Sequence, residues 1–248
     1  YPLDWAGKIV PIHTTGKAGG PVTLRDISVT AEHPAQLLFT SGSTGHPRGV
    51  VRSVGSWQLS LDPLSQLTGI GADDVVWVPG PLTSSLYLYG AFHARTVGAA
   101  VTARPSSAVT AAHLVPGGLA QALDVAASLP ALRTVVVAGD ALHERLRRRA
   151  VSLGWRVVEY YGAAELSFVG WRDSPGPFQD FPGARVRLRD GQVWVRSPYC
   201  CNGYLAPDDS GPLVRDGDWA GVGDLRDRIR VRHTVGPEDF ERRYNSWR

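Results

Sequence analysis

The chain has 248 residues, of which 43% are hydrophobic and 20% charged, a balance typical of a globular protein with a sizeable core. Its formal net charge of +3 at pH 7 is too small to indicate a nucleic-acid partner. No stretch of the sequence approaches the roughly 18 apolar residues of a membrane span. The first 20 residues also lack a basic-then-apolar signal pattern. The composition therefore predicts a cytoplasmic protein without a membrane span.

Two clusters of residues have structural rather than functional interpretations. Cys200 and Cys201 are the only cysteines and are adjacent, which favours reduced structural thiols over a disulfide framework or a metal site. The second cluster is a run of arginines that begins after Glu144. Glu144 stands four residues before Arg148, a spacing typical of ion pairs on a helix surface. We therefore predict a solvated helix face, not a polyanion patch, for the run Arg145, Arg147, Arg148 and Arg149.

From residue 36 onward, short β-rich apolar runs alternate with longer segments of helical period. This alternation predicts an α/β fold with a parallel sheet. The predicted strands are 36–39, 75–78, 99–103, 113–115, 132–138 and 156–160. One helix is predicted to begin at about residue 53. Three others are predicted at 86–96, 118–128 and 142–153, and Gly154 ends the last of them.

The pattern changes after about residue 180. Segments 184–189 and 192–197 alternate in polarity on either side of Asp190-Gly191, a combination that predicts a β-hairpin. A β-rich lobe is therefore expected at about 180–222. The arginine-rich stretch from Gly223 is too short to form its own core.

Segment 40–49 is the most informative part of the sequence, because it places hydroxyl residues and glycines between a predicted buried strand and a predicted helix. Backbone N–H groups of such a loop can surround a polyphosphate, and Arg48 adds a positive charge. The loop lacks the Gly-Lys-Ser/Thr of a Walker A motif and the glycine spacing of a nucleophile elbow. A flexible polar turn is the alternative. The residues that would contact phosphate are Thr40, Ser41, Gly42, Ser43, Thr44, Gly45 and Arg48.

This segment resembles the signature loop of the adenylate-forming superfamily, which includes acyl-CoA synthetases, peptide-synthetase adenylation domains and luciferases. Three further stretches resemble motifs of that family in the same order along the chain. They are Tyr160-Tyr161-Gly162-Ala163-Ala164-Glu165, similar to a Tyr-Gly-x-Thr-Glu element, Ser197-Pro198 with Gly203-Tyr204-Leu205, and Gly223-Asp224-Leu225, similar to a Thr-Gly-Asp-Leu element.

The resemblance implies the large N-terminal domain of an adenylate-forming enzyme, with parallel sheets flanked by helices and followed by the smaller β-rich lobe. It implies an AMP-binding domain at 1–222 and, at 223–248, a hinge with the start of the C-terminal subdomain. The rest of that subdomain is expected to be missing, because the only lysines, Lys8 and Lys17, do not match its catalytic lysine. Three arginines are candidates for the hinge-region arginine: Arg228, Arg230 and Arg232.

The resemblance also implies a set of ligand-binding residues. Loop 40–49 would hold the β- and γ-phosphates of ATP, with Thr40, Arg48 and Glu165 as catalytic residues. Tyr161 would lie against adenine, Glu165 would ligate Mg²⁺, and Asp224 would bind the ribose. Without the resemblance, Glu165 and Asp224 would be ordinary surface carboxylates. Gly139, Asp140 and Ala141 would form the wall of the adenine site opposite Tyr161. The remaining implied nucleotide-binding residues are Tyr160, Gly162 and Ala164.

The implied reaction is ATP- and Mg²⁺-dependent activation of a carboxylic acid to an acyl-adenylate, followed by thioester formation with coenzyme A. The alternatives are transfer to the phosphopantetheine of an acyl carrier protein, or non-catalytic binding of a nucleotide or acyl-adenylate. Ala164 stands where the family usually has threonine, Arg48 where it has lysine, and a serine near Ser84 where it has histidine.

The small-molecule acid is expected to bind between segments 84–93 and 162–170. The apolar and aromatic residues there favour a fatty or aryl acid over an amino acid. The residues in question are Leu86, Tyr87, Leu88, Tyr89 and Phe168. His93 lies later on the same predicted helix, where a packed or exposed histidine is the expected role.

Overall fold

The computed structural model describes residues 34–40, 48–189, 191–205 and 213–222. The strands of these residues are β1 (Pro34–Thr40), β2 (Arg48–Ser53), β3 (Val75–Trp77), β4 (Ala100–Thr102), β5 (Ala111–Leu114), β6 (Thr134–Val137), β7 (Arg156–Ala163), β8 (Ser167–Arg172), β9 (Gln179–Asp180), β10 (Arg185–Arg189), β11 (Gln192–Arg196), β12 (Gly203–Tyr204), β13 (Val214–Asp216) and β14 (Trp219–Gly221). The helices are α1 (Val54–Gln58), α2 (Leu61–Thr68), α3 (Ser85–Thr96), α4 (Pro116–Asp124) and α5 (Glu144–Ser152), with a 3₁₀-helix at Ala126–Ser128. Among these described helices, none has the length and apolar character needed to cross a bilayer.

The largest sheet has seven strands in the order β4-β3-β5-β6-β7-β8-β9. β4, β3, β5, β6 and β7 are parallel, which confirms the α/β fold predicted from the alternating pattern. β8 and β9 extend the sheet in the antiparallel direction, and the sequence analysis did not predict them. The carboxyl ends of β5, β6 and β7 lie at one edge of this sheet, where open α/β sheets bind their ligands.

Helices cover both faces of the seven-stranded sheet. Val135 and Val137 of β6 belong to a buried cluster that also contains Leu119 of α4 and Ala150 of α5. Val136, whose side chain points to the opposite face, packs in a second cluster with Ala94 of α3. This arrangement explains why β6 is apolar at successive positions, as parallel strands covered on both faces usually are.

A three-stranded antiparallel sheet with the order β1-β2-β12 corrects the expectation for segment 40–49. The segment was predicted to join a strand to a helix, but Thr40 pairs with Arg48 across β1 and β2. The segment therefore connects two antiparallel strands. Val50 and Val51 favour an extended chain, and α1 begins only after Ser53, whose hydroxyl accepts a 3.2 Å hydrogen bond from the Ser56 N–H.

The predicted hairpin after residue 180 is confirmed by β10 and β11, which pair antiparallel with Arg189 opposite Gln192. Both strands belong to a four-stranded sheet with the order β10-β11-β14-β13. Val193 and Val195 of β11 join a buried cluster with Leu38 of β1 and Phe168 of β8, so this core connects all three sheets. The domain boundaries remain predictions, and residues 223–248 lie outside those described.

The arginine run on α5 is only partly the solvated face that was expected. Arg145, Arg148 and Arg149 are exposed, but Arg147 is 1% exposed and forms an ion pair with Glu159. Glu144 approaches Arg147 at 3.9 Å, not Arg148. Arg147 stands three residues before the buried Ala150 and so lies on the helix stripe that faces the sheet. The two cysteines are free thiols.

Candidate active site

A cavity of about 100 Å³ lies at the carboxyl edge of the seven-stranded sheet. Its wall includes the residues that follow β6, the end of β7, the start of β8 and the first turn of α3. The remaining wall comes from β1, β2 and α1. Four of the predicted nucleotide-binding residues line this cavity: Gly139, Tyr160, Gly162 and Ala164. Their roles remain predictions, but the structure places them together.

The turn after β6 brings Gly139, Asp140 and Ala141 to the edge of the sheet, where all three are exposed. Gly139 has a φ of 91°, a left-handed conformation that favours glycine. The Ala141 N–H donates a 2.7 Å hydrogen bond to Asp140 Oδ1, which fixes the turn. Of these three residues, Gly139 lines the cavity while Asp140 and Ala141 do not.

The end of β7 contributes two tyrosines and a glycine. The ring of Tyr160 packs against Phe168 with centroids 4.6 Å apart. The Tyr161 hydroxyl is buried and has no hydrogen-bond partner among the described residues. Burial raises the pKa of both tyrosines, so both stay protonated at neutral pH. A Cβ on Gly162 would collide with the Ser167 carbonyl oxygen, because the chain reverses tightly into β8.

Glu165 lies in the turn between β7 and β8 and is only 7% exposed. It is therefore not an ordinary surface carboxylate. Its Oε1 accepts a 3.0 Å hydrogen bond from the Tyr204 hydroxyl, and its backbone carbonyl accepts one of 2.7 Å from the Cys201 N–H. Glu165 does not line the cavity, but the adjacent Ala164 does.

Glu165 offers one buried carboxylate to a magnesium ion that would be bound together with a nucleotide. The described part of the chain contains no cluster of three or more histidine, cysteine, aspartate or glutamate residues that could hold a metal. A cation at Glu165 would then take most of its ligands from phosphate oxygens and water. Mg²⁺ is commonly bound in this way, through one or two carboxylates and the phosphates of a substrate.

Arg52 of β2 is a cavity residue that the sequence analysis missed. It is 0% exposed and donates hydrogen bonds to the carbonyls of Ala164 and Tyr199. Burial lowers the pKa of Arg52 to about 10, so the guanidinium remains charged at neutral pH. The alternation of β2 could have indicated its burial, because Arg52 lies two residues after Val50, which is also 0% exposed, and thus on the same face.

The structure brings together some of the residues predicted for the acid pocket, and their role stays a prediction. Leu86, Tyr89 and Phe168 line the cavity, whereas Tyr87 packs in the cluster on the other side of α3. Leu88 is half-buried against the core that connects the sheets and does not line the cavity either. Trp57 of α1 was not predicted, and its ring meets that of Tyr89 edge-on at 5.1 Å.

His93 is packed and lies outside the cavity lining. It is 0% exposed, and its Nε2 forms a 2.8 Å hydrogen bond with the Ser65 hydroxyl. The structure describes only the backbone of Thr40 and Arg48, at the facing ends of β1 and β2. The other predicted site residues lie outside the described part of the chain: Ser41, Gly42, Ser43, Thr44, Gly45 and Asp224, with Arg228, Arg230 and Arg232.

The chain belongs to the AMP-binding enzyme family, whose sequence profile matches residues 10–205. It is 27% identical over 218 residues to YhfT of Bacillus subtilis (strain 168), an uncharacterized acyl-CoA ligase, with 73% of this chain and 45% of YhfT covered. It is 28% identical over 240 residues to the phenyloxazoline synthase MbtB of Mycobacterium sp. (strain MCS), with 80% of this chain and 21% of MbtB covered.

The fold is also that of solved adenylate-forming enzymes. The structure of the o-succinylbenzoate coenzyme A synthetase MenE of Bacillus subtilis, in complex with ATP and a magnesium ion, superposes with a TM-score of 0.70 at 21% sequence identity. The match covers 80% of this chain and 49% of MenE. The chain thus spans about half the length of YhfT and MenE.

Proposed function

We propose that the described residues form the nucleotide and acid site of an enzyme that activates a carboxylic acid with ATP and Mg²⁺ and then forms a thioester with coenzyme A. One observation carries the proposal. Gly139, Tyr160 and Gly162, expected at the nucleotide, line the same cavity as Tyr89 and Phe168, expected at the acid. The names of YhfT and MenE, both coenzyme A ligases, support this assignment.

In the first step of the proposed reaction, a carboxylate oxygen of the acid attacks the α-phosphorus of ATP. The bond from that phosphorus to the bridging oxygen breaks, and pyrophosphate leaves with the bonding electrons. In the second step, the thiol sulfur of coenzyme A attacks the acyl carbon, the bond to AMP breaks, and the thiol proton passes to solvent. Such chemistry depends mainly on positioning and on neutralisation of phosphate charge.

The proposal assigns roles to the main predicted ligand-binding residues. Loop 40–49, with Thr40 and Arg48 at its ends, would hold the β- and γ-phosphates. Tyr161 and the turn at 139–141 would lie on either side of adenine, and Asp224 would bind the ribose. Glu165 would ligate Mg²⁺, whose charge neutralises phosphate oxygens. The burial of Glu165 supports that role, because a carboxylate removed from water is stabilised by a cation.

The acid in this proposal is a fatty or aryl acid. The support comes from the apolar and aromatic side chains of Trp57, Leu86, Tyr89 and Phe168 in the cavity wall, since such walls bind hydrophobic ligands. Coenzyme A is the proposed acceptor of the acyl group. A separate assay of thioester formation, with coenzyme A and with a carrier protein, distinguishes the two acceptors: transfer to a phosphopantetheine would give a thioester on the carrier only.

The proposal is tested by carboxylate-dependent exchange of pyrophosphate into ATP over a panel of fatty, aryl and amino acids. We expect Mg²⁺-dependent exchange with fatty or aryl acids and its loss in Glu165→Gln. Glu144→Gln is the matched control, because Glu144 lies on α5 away from the cavity, and it should exchange like the unmodified chain. ATP binding without exchange for any acid would contradict the proposal and indicate a non-catalytic nucleotide-binding protein.

A further inference from the structure

Arg52 is a buried cation that forms no ion pair with a carboxylate of the described residues. The two hydrogen bonds that its guanidinium donates within the described residues go to neutral backbone carbonyls, those of Ala164 and Tyr199. Its Nε is buried and has no partner among the residues that the structure describes. Arg147 is similarly buried, but it differs from Arg52 because it forms an ion pair with Glu159. A buried charge without a counterion is costly, so Arg52 is a position where an anion would be stabilising.

Among the described neighbours that act on Arg52 electrostatically, only Glu165 is a carboxylate. Burial raises the pKa of Cys201 to about 11 and also raises that of Tyr89, so both neighbours are neutral. Glu165 is close enough to act on Arg52 electrostatically, but no ion pair joins the two within the described residues. Glu165 Oε1 instead accepts a hydrogen bond from the Tyr204 hydroxyl.

The cavity next to Arg52 is suited to a small acid. Arg52 lines it together with the apolar side chains of Leu38, Trp57, Tyr89 and Phe168. Ser85 in the first turn of α3 also lines it, and the start of a helix favours negative charge. Its volume of about 100 Å³ is small beside the roughly 300–1,000 Å³ of sites for drug-sized ligands.

We propose that Arg52 binds the carboxylate of the acid substrate, and that the cavity selects a short aliphatic or single-ring aryl acid over a long-chain fatty acid. This inference rests on the proposed function and narrows its acid. The guanidinium would hold the carboxylate beside Ala164, at the end of the cavity nearest the proposed magnesium ligand, while the aromatic wall holds the body of the acid. The pairing would be a charge-assisted hydrogen bond, which is roughly twice as strong as one between neutral groups.

The experiment compares each acid with its neutral amide on the full chain, by calorimetry and without ATP. The pairs are benzoate with benzamide and hexanoate with hexanamide, and palmitate is the long-chain probe. We expect benzoate to bind roughly 10- to 100-fold more tightly than benzamide, as hydrogen bonds to charged groups allow. In Arg52→Met, benzoate should bind no better than benzamide, while benzamide affinity stays within about twofold and shows that the cavity is intact.

Two further variants keep the test decisive. Arg185→Met removes an exposed arginine from β10 and should keep the full preference for benzoate. Arg52→Lys keeps the charge without the two-carbonyl geometry and should keep part of the preference, so it replaces Arg52→Met if the latter does not fold.

Equal binding of benzoate and benzamide to the unmodified chain would overturn the proposal, and palmitate binding as tightly as benzoate would overturn its size limit. A loss of ATP affinity in Arg52→Met with the benzoate preference intact would assign Arg52 to phosphate instead. Because pyrophosphate exchange is measured separately, failure of this inference is distinguishable from failure of the proposed function.

Discussion

The hydroxyl of Tyr204 donates a hydrogen bond to the carboxylate of Glu165, 39 residues earlier in the chain, over 3.0 Å. Tyr204 lies on β12, which pairs with β2, the strand that carries Arg52. Glu165 lies where the seven-stranded sheet turns back from β7 to β8. The carboxylate proposed for magnesium is therefore oriented by one sheet and positioned by another, so the two sheets must fold together to form the site.

Tyr204→Phe is expected to weaken the response to magnesium without abolishing exchange. The hydroxyl orients Glu165, and loss of such a group behind a metal ligand typically costs about 10- to 100-fold in metal affinity. The measurement is a magnesium titration of pyrophosphate exchange. Tyr199→Phe is the matched control, since its hydroxyl donates to the Pro182 carbonyl and not to Glu165. An unchanged magnesium requirement in Tyr204→Phe would contradict the orienting role.

Glu159→Gln is expected to destabilise the fold strongly. Glu159 is 1% exposed and pairs with two arginines, Arg147 and Arg172, so its neutralisation leaves buried positive charge behind. Breaking a buried ion pair in this way costs about 3–5 kcal/mol. Urea denaturation should therefore show a loss of about 3 kcal/mol or more in the free energy of unfolding.

An exposed ion pair that also includes a residue of β7 provides the control for Glu159. Arg156 pairs with Asp173 at 3.0 Å, with side chains 44% and 35% exposed. Exposed pairs contribute about 0–1 kcal/mol, so Asp173→Asn should change the unfolding free energy by less than about 1 kcal/mol. Similar losses in the two variants would show that burial does not set the strength of the Glu159 pairs.

The parallel strands and the β10–β11 hairpin could be predicted from local sequence, whereas the antiparallel strands β2, β8 and β9 depended on tertiary contacts. The valines of β6 are a strong strand signal in themselves. β8 could not be predicted, because it begins with Ser167 at a φ of 59°, in the reversal that brings Ser167 against Gly162. For the site, motif resemblance led to Gly139 and Tyr160, but the burial of Arg52 depends on the partners that β2 finds in the folded chain.

Acid is expected to destabilise the protein through two buried histidines, His93 and His113, whose rings lie 6.2 Å apart. Burial lowers the pKa of His93 to about 4. Burial, with a smaller contribution from His93, lowers that of His113 to about 3. Unfolded histidine has a pKa of about 6.5, so below that pH the unfolded chain binds more protons. The stabilisation is complete above pH 6.5 and is lost as the pH falls towards 4 and then 3.

The two histidines together should make the unfolding free energy fall by up to about 3 kcal/mol per pH unit between pH 6 and pH 4. Urea denaturation at several pH values measures this slope. His93→Gln keeps an amide that can bond to Ser65 but does not titrate, and it should remove about half of the slope. The same slope in the variant and the unmodified chain would assign the pH dependence to other groups.

Ala164→Thr is expected to increase the affinity for ATP. Ala164 lines the cavity where the family usually has threonine, so the variant would restore a hydroxyl beside the proposed phosphate site. One added hydrogen bond contributes about 1 kcal/mol, which corresponds to a roughly fivefold lower KM for ATP in pyrophosphate exchange. Ala163→Thr is the matched control, because Ala163 also lines the cavity and gains the same hydroxyl one residue earlier. An equal decrease of the KM for ATP in both variants would mean that the effect does not depend on which residue carries the hydroxyl. The proposed place of the phosphates beside Ala164 would then be wrong.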